Sequence, residues 1–331
     1  MITRRDFTAA ALAAGGSLLT PAAMAQDKAQ DNWPARLIRF VVPFPPGGAN
    51  DVIGRVMADK LAKALSATVV VENKPGAGGT IGAAAVAKSD PDGYTIMIGY
   101  IGNLGYAPTI YSNLPYDPAT SFEPVSLVAK VPNILVVNPK LPIHSVKELI
   151  DYTKKNPGKM AYSSGGNGTA AHIGMAYLCH AAGLSMVHVP YRGTAPSVTD
   201  LIAGQVQVTM TGWPGAGPFV KSGQLRAIGV SSSVRVPYAP DIPTIAESGL
   251  PGFEAVQWYG IVAPAKTPAP IVARLNKEIG GMLDSPELGK YLTNEGALAE
   301  KSTPAQFTAF MKAEIERWRK IITESGIPRA S

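Results

Sequence analysis

Ile38-Arg39-Phe40-Val41-Val42-Pro43-Phe44-Pro45-Pro46-Gly47-Gly48-Ala49-Asn50-Asp51 passes from a β-rich run, through a proline–glycine turn, into the start of a helical pattern. The pattern runs from Asp51 to Leu65, with Ile53, Val56, Met57, Leu61 and Leu65 on one face. This strand–loop–helix unit recurs. Thr68–Glu72 is a strand running into Pro75-Gly76-Ala77-Gly78-Gly79 and a short Ala-rich helix, and Tyr94–Gly99 is a buried-type strand. Ile134–Val137 is a strand, and Ser145-Val146-Lys147-Glu148 is a capping box opening a helix. Strands at Met160–Tyr162 and Met186–Val189 lead to helices at Ala170–Ala182 and Ala195–Ala203. Strand Val206–Met210 enters a loop at Thr211-Gly212-Trp213-Pro214-Gly215. Tyr259–Ala263 is a strand, and helices follow at Pro268–Leu283, Pro286–Glu295 and Pro304–Ser325. Alternating βα units predict an α/β fold of mostly parallel sheets with helices on both faces. Ligands of such sheets bind at the carboxyl ends of the strands.

The loops at those ends are rich in Gly, Ser, Thr and Pro and nearly empty of charge. Glycine lets the backbone approach a ligand closely, and a helix start offers unpaired N–H groups with a favourable dipole. Pro46-Gly47-Gly48-Ala49-Asn50 is one candidate carboxylate cradle and Ser163-Ser164-Gly165-Gly166-Asn167-Gly168-Thr169 is a second. Each also reads as a tight turn that needs glycine for geometry alone. Arg192 can grip a carboxylate in a bidentate fork or brace its own loop. Trp213 and Trp258-Tyr259 can stack on a flat ligand or pack a core. Asp51 can pair with a ligand amine or serve the helix start.

Catalytic and cofactor chemistry has little support. No G-x-S-x-G surrounds Ser163 or Ser164, and Gly76-Ala77-Gly78-Gly79 lacks the dinucleotide fingerprint. His172 and His188 belong to no cluster with metal-ligand spacing. No cofactor or metal is expected. The formal charge of +6 comes from scattered basic residues without aromatic interleaving, which argues against nucleic acid but suits steering of small anions. The single cysteine, Cys179, rules out an internal disulfide and reads as a small buried hydrophobe.

Arg4-Arg5, the small-residue stretch Thr8–Thr20 and Ala23-Met24-Ala25 form an export signal with its cleavage site. Thr3-Arg4-Arg5-Asp6-Phe7 fits either a twin-arginine or an ordinary Sec signal. Residues 1–25 are thus expected to be cleaved, and no later run is long enough to span a bilayer, since Lys130 and Pro132 interrupt Val125–Val137. The remainder has the length of two domains.

Taken in order, several segments resemble the Bug-type receptors of tripartite tricarboxylate transporters. They are Pro43–Gly48 with Asp51, Val71–Gly79, Asp90–Tyr94, Leu114–Pro118, Tyr162–Thr169 with His172, Val189–Gly193, Ile242–Thr244, Pro251–Phe253 and Trp258–Gly260. The resemblance implies a type II periplasmic binding protein fold with its ligand between two lobes. Lobe 1 would be 26–131 plus 259–331, and lobe 2 the insertion 132–258. It implies a periplasmic, monomeric receptor that captures a small organic carboxylate, catalyses nothing and delivers its ligand to integral membrane transporter subunits. The implied ligand-binding residues are Phe44, Pro46, Gly47, Ala49, Asp51, Ser163, Gly168 and Thr169, to which the loops add Arg192 and Trp213. Many relatives carry an acidic residue where this chain has Gln207, which tilts the ligand away from amino acids. A ligand sensor partnering a membrane kinase and an exported serine hydrolase using Ser163 or Ser164 are the alternatives.

Overall fold

The structure is a computed structural model and describes residues 32–329; the export signal expected at residues 1–25 lies outside them. The elements below belong to the unit that begins at Arg36. β1 (Ile38–Val42) pairs in parallel with β2 (Val69–Asn73) and β3 (Thr95–Tyr100). Helix Ala49–Leu65 buries Ile53, Met57, Leu61 and Leu65, spaced at four residues, on this sheet. Its close approach depends on Gly54, where a Cβ would lie 2.7 Å from Val42 Cγ2.

β4 (Phe122–Val137) does the joining. Its first part, up to Pro132, pairs antiparallel with β9 (Val256–Pro264), with register shifts at Pro124/Ser126 and Leu127/Ala129. Its last part, from Asn133, pairs antiparallel with β7 (Val208–Gly212) and β8 (Arg226–Val230). Beyond β7 lie β5 (Ala161–Ser164) and β6 (Val187–Pro190), again parallel. The strand order is β2-β1-β3-β9-β4-β7-β5-β6. The parallel pairing expected of βα units therefore holds on the two wings, while β4 and β9, which cross between them, run antiparallel to their neighbours.

Three readings of the sequence change here. The Val125–Val137 run is one continuous strand: Lys130 sends its ammonium out to Glu300 (2.9 Å), and Pro132 stands at the last β4–β9 rung, where a donor is dispensable. Thr211–Gly215 is not a loop. β7 runs to Gly212 and helix Trp213–Lys221 starts at once, with Pro214 in the first turn where no N–H is needed. At Ser145 the box is offset by one residue: Ser145 Oγ accepts from Glu148 N–H, but the Glu148 carboxylate accepts from His144 N–H.

Helix Ala170–Ala182 follows β5 and helix Thr194–Ala203 follows β6. The last helix, Pro304–Glu324, opens with a complete capping box between Thr303 and Gln306. It buries Phe307, Met311, Trp318 and Ile322. Its buried Glu314 accepts from the indole N–H groups of Trp258 on β9 (3.0 Å) and Trp318 (3.1 Å). No described helix is long and apolar enough to cross a membrane.

Candidate functional site

Two cavities open where the strand ends meet helix starts. The deeper one, about 40 Å³, is lined by the beginnings of four helices: Ala49 and Asn50, Ala170 and Ala171, Thr194, and Gly212 just before Trp213. The first N–H groups of each helix have no intrahelical partner, and each start carries roughly half a positive charge. Three of the four N-caps, Gly48, Gly193 and Gly212, supply no side-chain cap, so these donors stay open to a guest. The fourth, Thr169, accepts from His172 N–H and bonds Gly166 O (2.7 Å). Among the other polar groups of the lining, Tyr259 donates to Gln257 (2.6 Å) and Tyr100 to Gly78 O (3.2 Å), whereas the buried Asn50 Oδ1 has no partner among the described residues. Among the described residues, no acidic or basic side chain lines this chamber. It is a place for an anionic group held by main-chain dipoles, with room for a carboxylate or a few waters.

The outer cavity, about 560 Å³, shares Phe44, Pro45 and Gly165 with the chamber. Tyr111, Tyr191 and the Pro75–Gly79 turn complete its wall, and among the described residues Arg192 is its only charged side chain. That guanidinium is exposed and forms no ion pair among the described residues.

The residues expected from the sequence divide into three sets. Phe44, Ala49, Thr169 and Arg192 line the cavities. Pro46, Gly47, Gly168 and Asp51 line neither and instead shape the loops. The buried Asp51 carboxylate accepts from Gly47 N–H (3.3 Å), Asn73 Nδ2 (2.9 Å) and Arg55 Nε (3.0 Å). Burial alone would raise its pKa, but these hydrogen bonds and the Arg55 charge hold it below the usual carboxylate value. Asp51 is thus a brace, with no acceptor turned toward a ligand amine. Gly168 N–H donates to His172 Nδ1 (3.2 Å).

Ser163 and Trp213 form the third set, and both are core. Strand alternation turns Ser163 inward, where its hydroxyl accepts from Ser197 (2.8 Å) and its carbonyl from Thr209 (2.7 Å). Trp213 is buried among Ile134, Val136, Val198 and Ala216 and packs on Tyr238 at 5.1 Å, so no face is left for stacking. Gln207 is placed before β7, at the end remote from the chamber, where it pairs with Ala161 through backbone and side chain. Its lack of charge therefore says nothing about the ligand.

Ser164 lies 2.7 Å from His188 Nε2, but both Ser164 and Ser163 are completely buried and line neither cavity. His188 stacks on His172 at 4.1 Å. Burial, and for His172 also its neighbour, depresses these pKa values to about 4 and about 3. Both rings are neutral supports for the Ser-Gly loop. No group of three metal-binding side chains occurs among the described residues.

Asn50 belongs to the first cradle read from the sequence, whereas Tyr111, Tyr191 and Thr194 were missed as lining residues. A usable signal was present for Thr194: Gly193 stands just before a helical pattern and so predicts uncapped N–H groups there.

The chain has known relatives. Residues 53–327 match the sequence profile of the tripartite tricarboxylate transporter family receptor. The chain belongs to this receptor family. A Bug protein, BugT of Bordetella pertussis, is 37% identical over 95% of this chain and 97% of its own. Among solved structures, an R. palustris protein with adipate superposes with a TM-score of 0.88 at 35% identity, covering 90% of this chain and all of that one. MatC from Rhodopseudomonas palustris, with bound malate, gives 0.83 at 33% identity over 88% of this chain and 100% of its own. The receptor has the α/β fold of these periplasmic binding proteins, and its family is one of solute-binding receptors.

Proposed function

We propose that this receptor works in the periplasm, captures a small organic carboxylate and presents it to the membrane subunits of a tripartite transporter. The observation that carries the reading is the convergence of four helix starts, three with glycine caps, on one chamber without charged side chains. One carboxylate sits there. The rest of the ligand passes Phe44 into the outer cavity, where Arg192 meets a second anionic group. Among the described residues neither cavity has an acidic lining residue, so an amino-acid ammonium would find no countercharge there. The adipate and malate of the related structures are ligands of this kind. The two lobes, 26–131 with 259–331 and 132–258, close about the crossing of β4 and β9.

Thermal unfolding and calorimetry with adipate, malate and a panel of other mono- and dicarboxylates test the reading. A ligand at 100 times its Kd adds about 2.7 kcal/mol by linkage. Folded protein, shown by mass spectrometry to carry no ligand, that gains nothing from the panel would refute it.

A further inference from the structure

The Pro75–Gly79 turn matches no nucleotide motif and lies outside the chamber, yet the chain brings it to an unusually close approach. Gly78 sits at φ +63°, and a Cβ there would lie 2.6 Å from the carbonyl oxygen of Asn167, in the Ser-Gly loop beyond β5. Tyr111, just after the short helix Ala107–Ile110, donates its hydroxyl to that same carbonyl at 2.9 Å. Gly168 lies under the Tyr111 ring, where a Cβ would be 3.1 Å from Cε2. The turn is held from behind by Tyr100, which donates to Gly78 O, and by the Gly79 N–H bond to Gly76 O (2.9 Å). Gly78 and Tyr111 precede β4 and Asn167 follows it, so this contact joins chain segments on opposite sides of the crossing strands. All three residues border the outer cavity, Asn167 and Tyr111 on its wall.

We infer that Gly78, the Tyr111 hydroxyl and the Asn167 carbonyl form a latch over the outer cavity, which makes Tyr111 a residue that sets ligand affinity through closure. The choice of groups is informative. The acceptor is main chain, so the Asn167 side chain is dispensable. The position facing it must be glycine, because any side chain would hold the two segments apart and would strain the left-handed backbone. Tyr111 is half-buried and Asn167 is exposed, so their bond lies at the rim of the cavity and exists only while the two segments meet. The inference rests on the receptor reading for the ligand but not for the contact itself.

The test compares Tyr111→Phe, Gly78→Ala and Asn167→Ala in the full chain, with two readouts. In the ligand-free protein, amide hydrogen exchange across Gly76–Thr80 and Gly165–Thr169 should rise about fivefold in Tyr111→Phe, the factor expected for one net hydrogen bond. It should rise further in Gly78→Ala and stay within about twofold of wild type in Asn167→Ala. With adipate as probe, Tyr111→Phe should raise Kd about fivefold, almost all of it in the release rate. Unchanged exchange with weakened adipate binding would overturn the latch, because Tyr111 would then act by touching the ligand. So would an Asn167→Ala variant whose hydrogen exchange in the ligand-free protein rises as much as that of Tyr111→Phe. If exchange responds as stated but wild-type protein binds neither adipate nor any other carboxylate, the latch stands and the carboxylate reading falls.

Discussion

The deep chamber and the outer cavity share Phe44, Pro45 and Gly165, but they are made of different material. The chamber is walled by helix starts and offers fixed donors whose positions follow from the backbone path. The outer cavity adds to its glycine-rich turns the side chains of Phe44, Tyr111, Tyr191 and Arg192, which differ in size, polarity and charge. The contrast separates two tasks. Under the proposed function, the chamber would recognise what all carboxylates have in common, and the cavity what distinguishes one from another.

Three measurements probe this division. The largest effect is expected from Gly48→Val. Gly48 has φ −104°, which any residue tolerates, and its Cβ would stand 3.3 Å from Thr194 Oγ1 across the chamber. The added side chain should abolish the anchor, costing on the order of 100-fold or more in adipate affinity by calorimetry, with little change in Tm. Binding retained within about tenfold would mean that the carboxylate sits elsewhere. Arg192→Gln should cost less. An exposed ion pair is worth up to about 1 kcal/mol, or fivefold, and salt screens it. Adipate should weaken by about that factor at low ionic strength, while hexanoate, which lacks the second carboxylate, should not change.

The smallest effect at neutral pH comes from the supports beneath the Ser-Gly loop. Burial, together with His188, lowers the His172 pKa from 6.5 to about 3 in the folded chain. Below about pH 6.5 the unfolded chain therefore binds protons that the folded chain refuses. Stability from this group is intact above that pH and is lost as the pH falls toward 3. His172→Asn keeps an acceptor within reach of Gly168 N–H but does not titrate. Its Tm should fall less steeply than that of wild type between pH 6.5 and 4.

Much of the fold was legible because each βα unit states its own pattern locally. Ile38–Val42 and Ala170–Ala182 are found where periodicity puts them. The crossing strands were harder to read. The first part of β4 carries Pro124, Lys130 and Pro132, which break the apolar run, and its partner lies more than a hundred residues away. Helix Trp213–Lys221 was hidden by two prolines and two glycines, residues that speak against a helix; Pro214 fits its first turn, but Pro218 lies inside it. The site was legible as loops but not as a chamber. Two glycine-rich loops were recognisable, yet the other two helix starts converge on them only through the sheet order. Ser163 and Gln207 show the opposite error: residues in a suggestive segment that strand alternation and chain direction turn away from the cavity.

An anchor made of main chain has a consequence for how such a receptor changes over generations. Substitutions that respect the path of the backbone leave its donors in place, so the chain can drift widely in sequence and still hold an anion. A duplicated copy would begin with that half of its task complete. A new diet would then require new side chains only around the outer cavity, at positions such as Phe44, Tyr191 and Arg192, where no helix start has to be rebuilt.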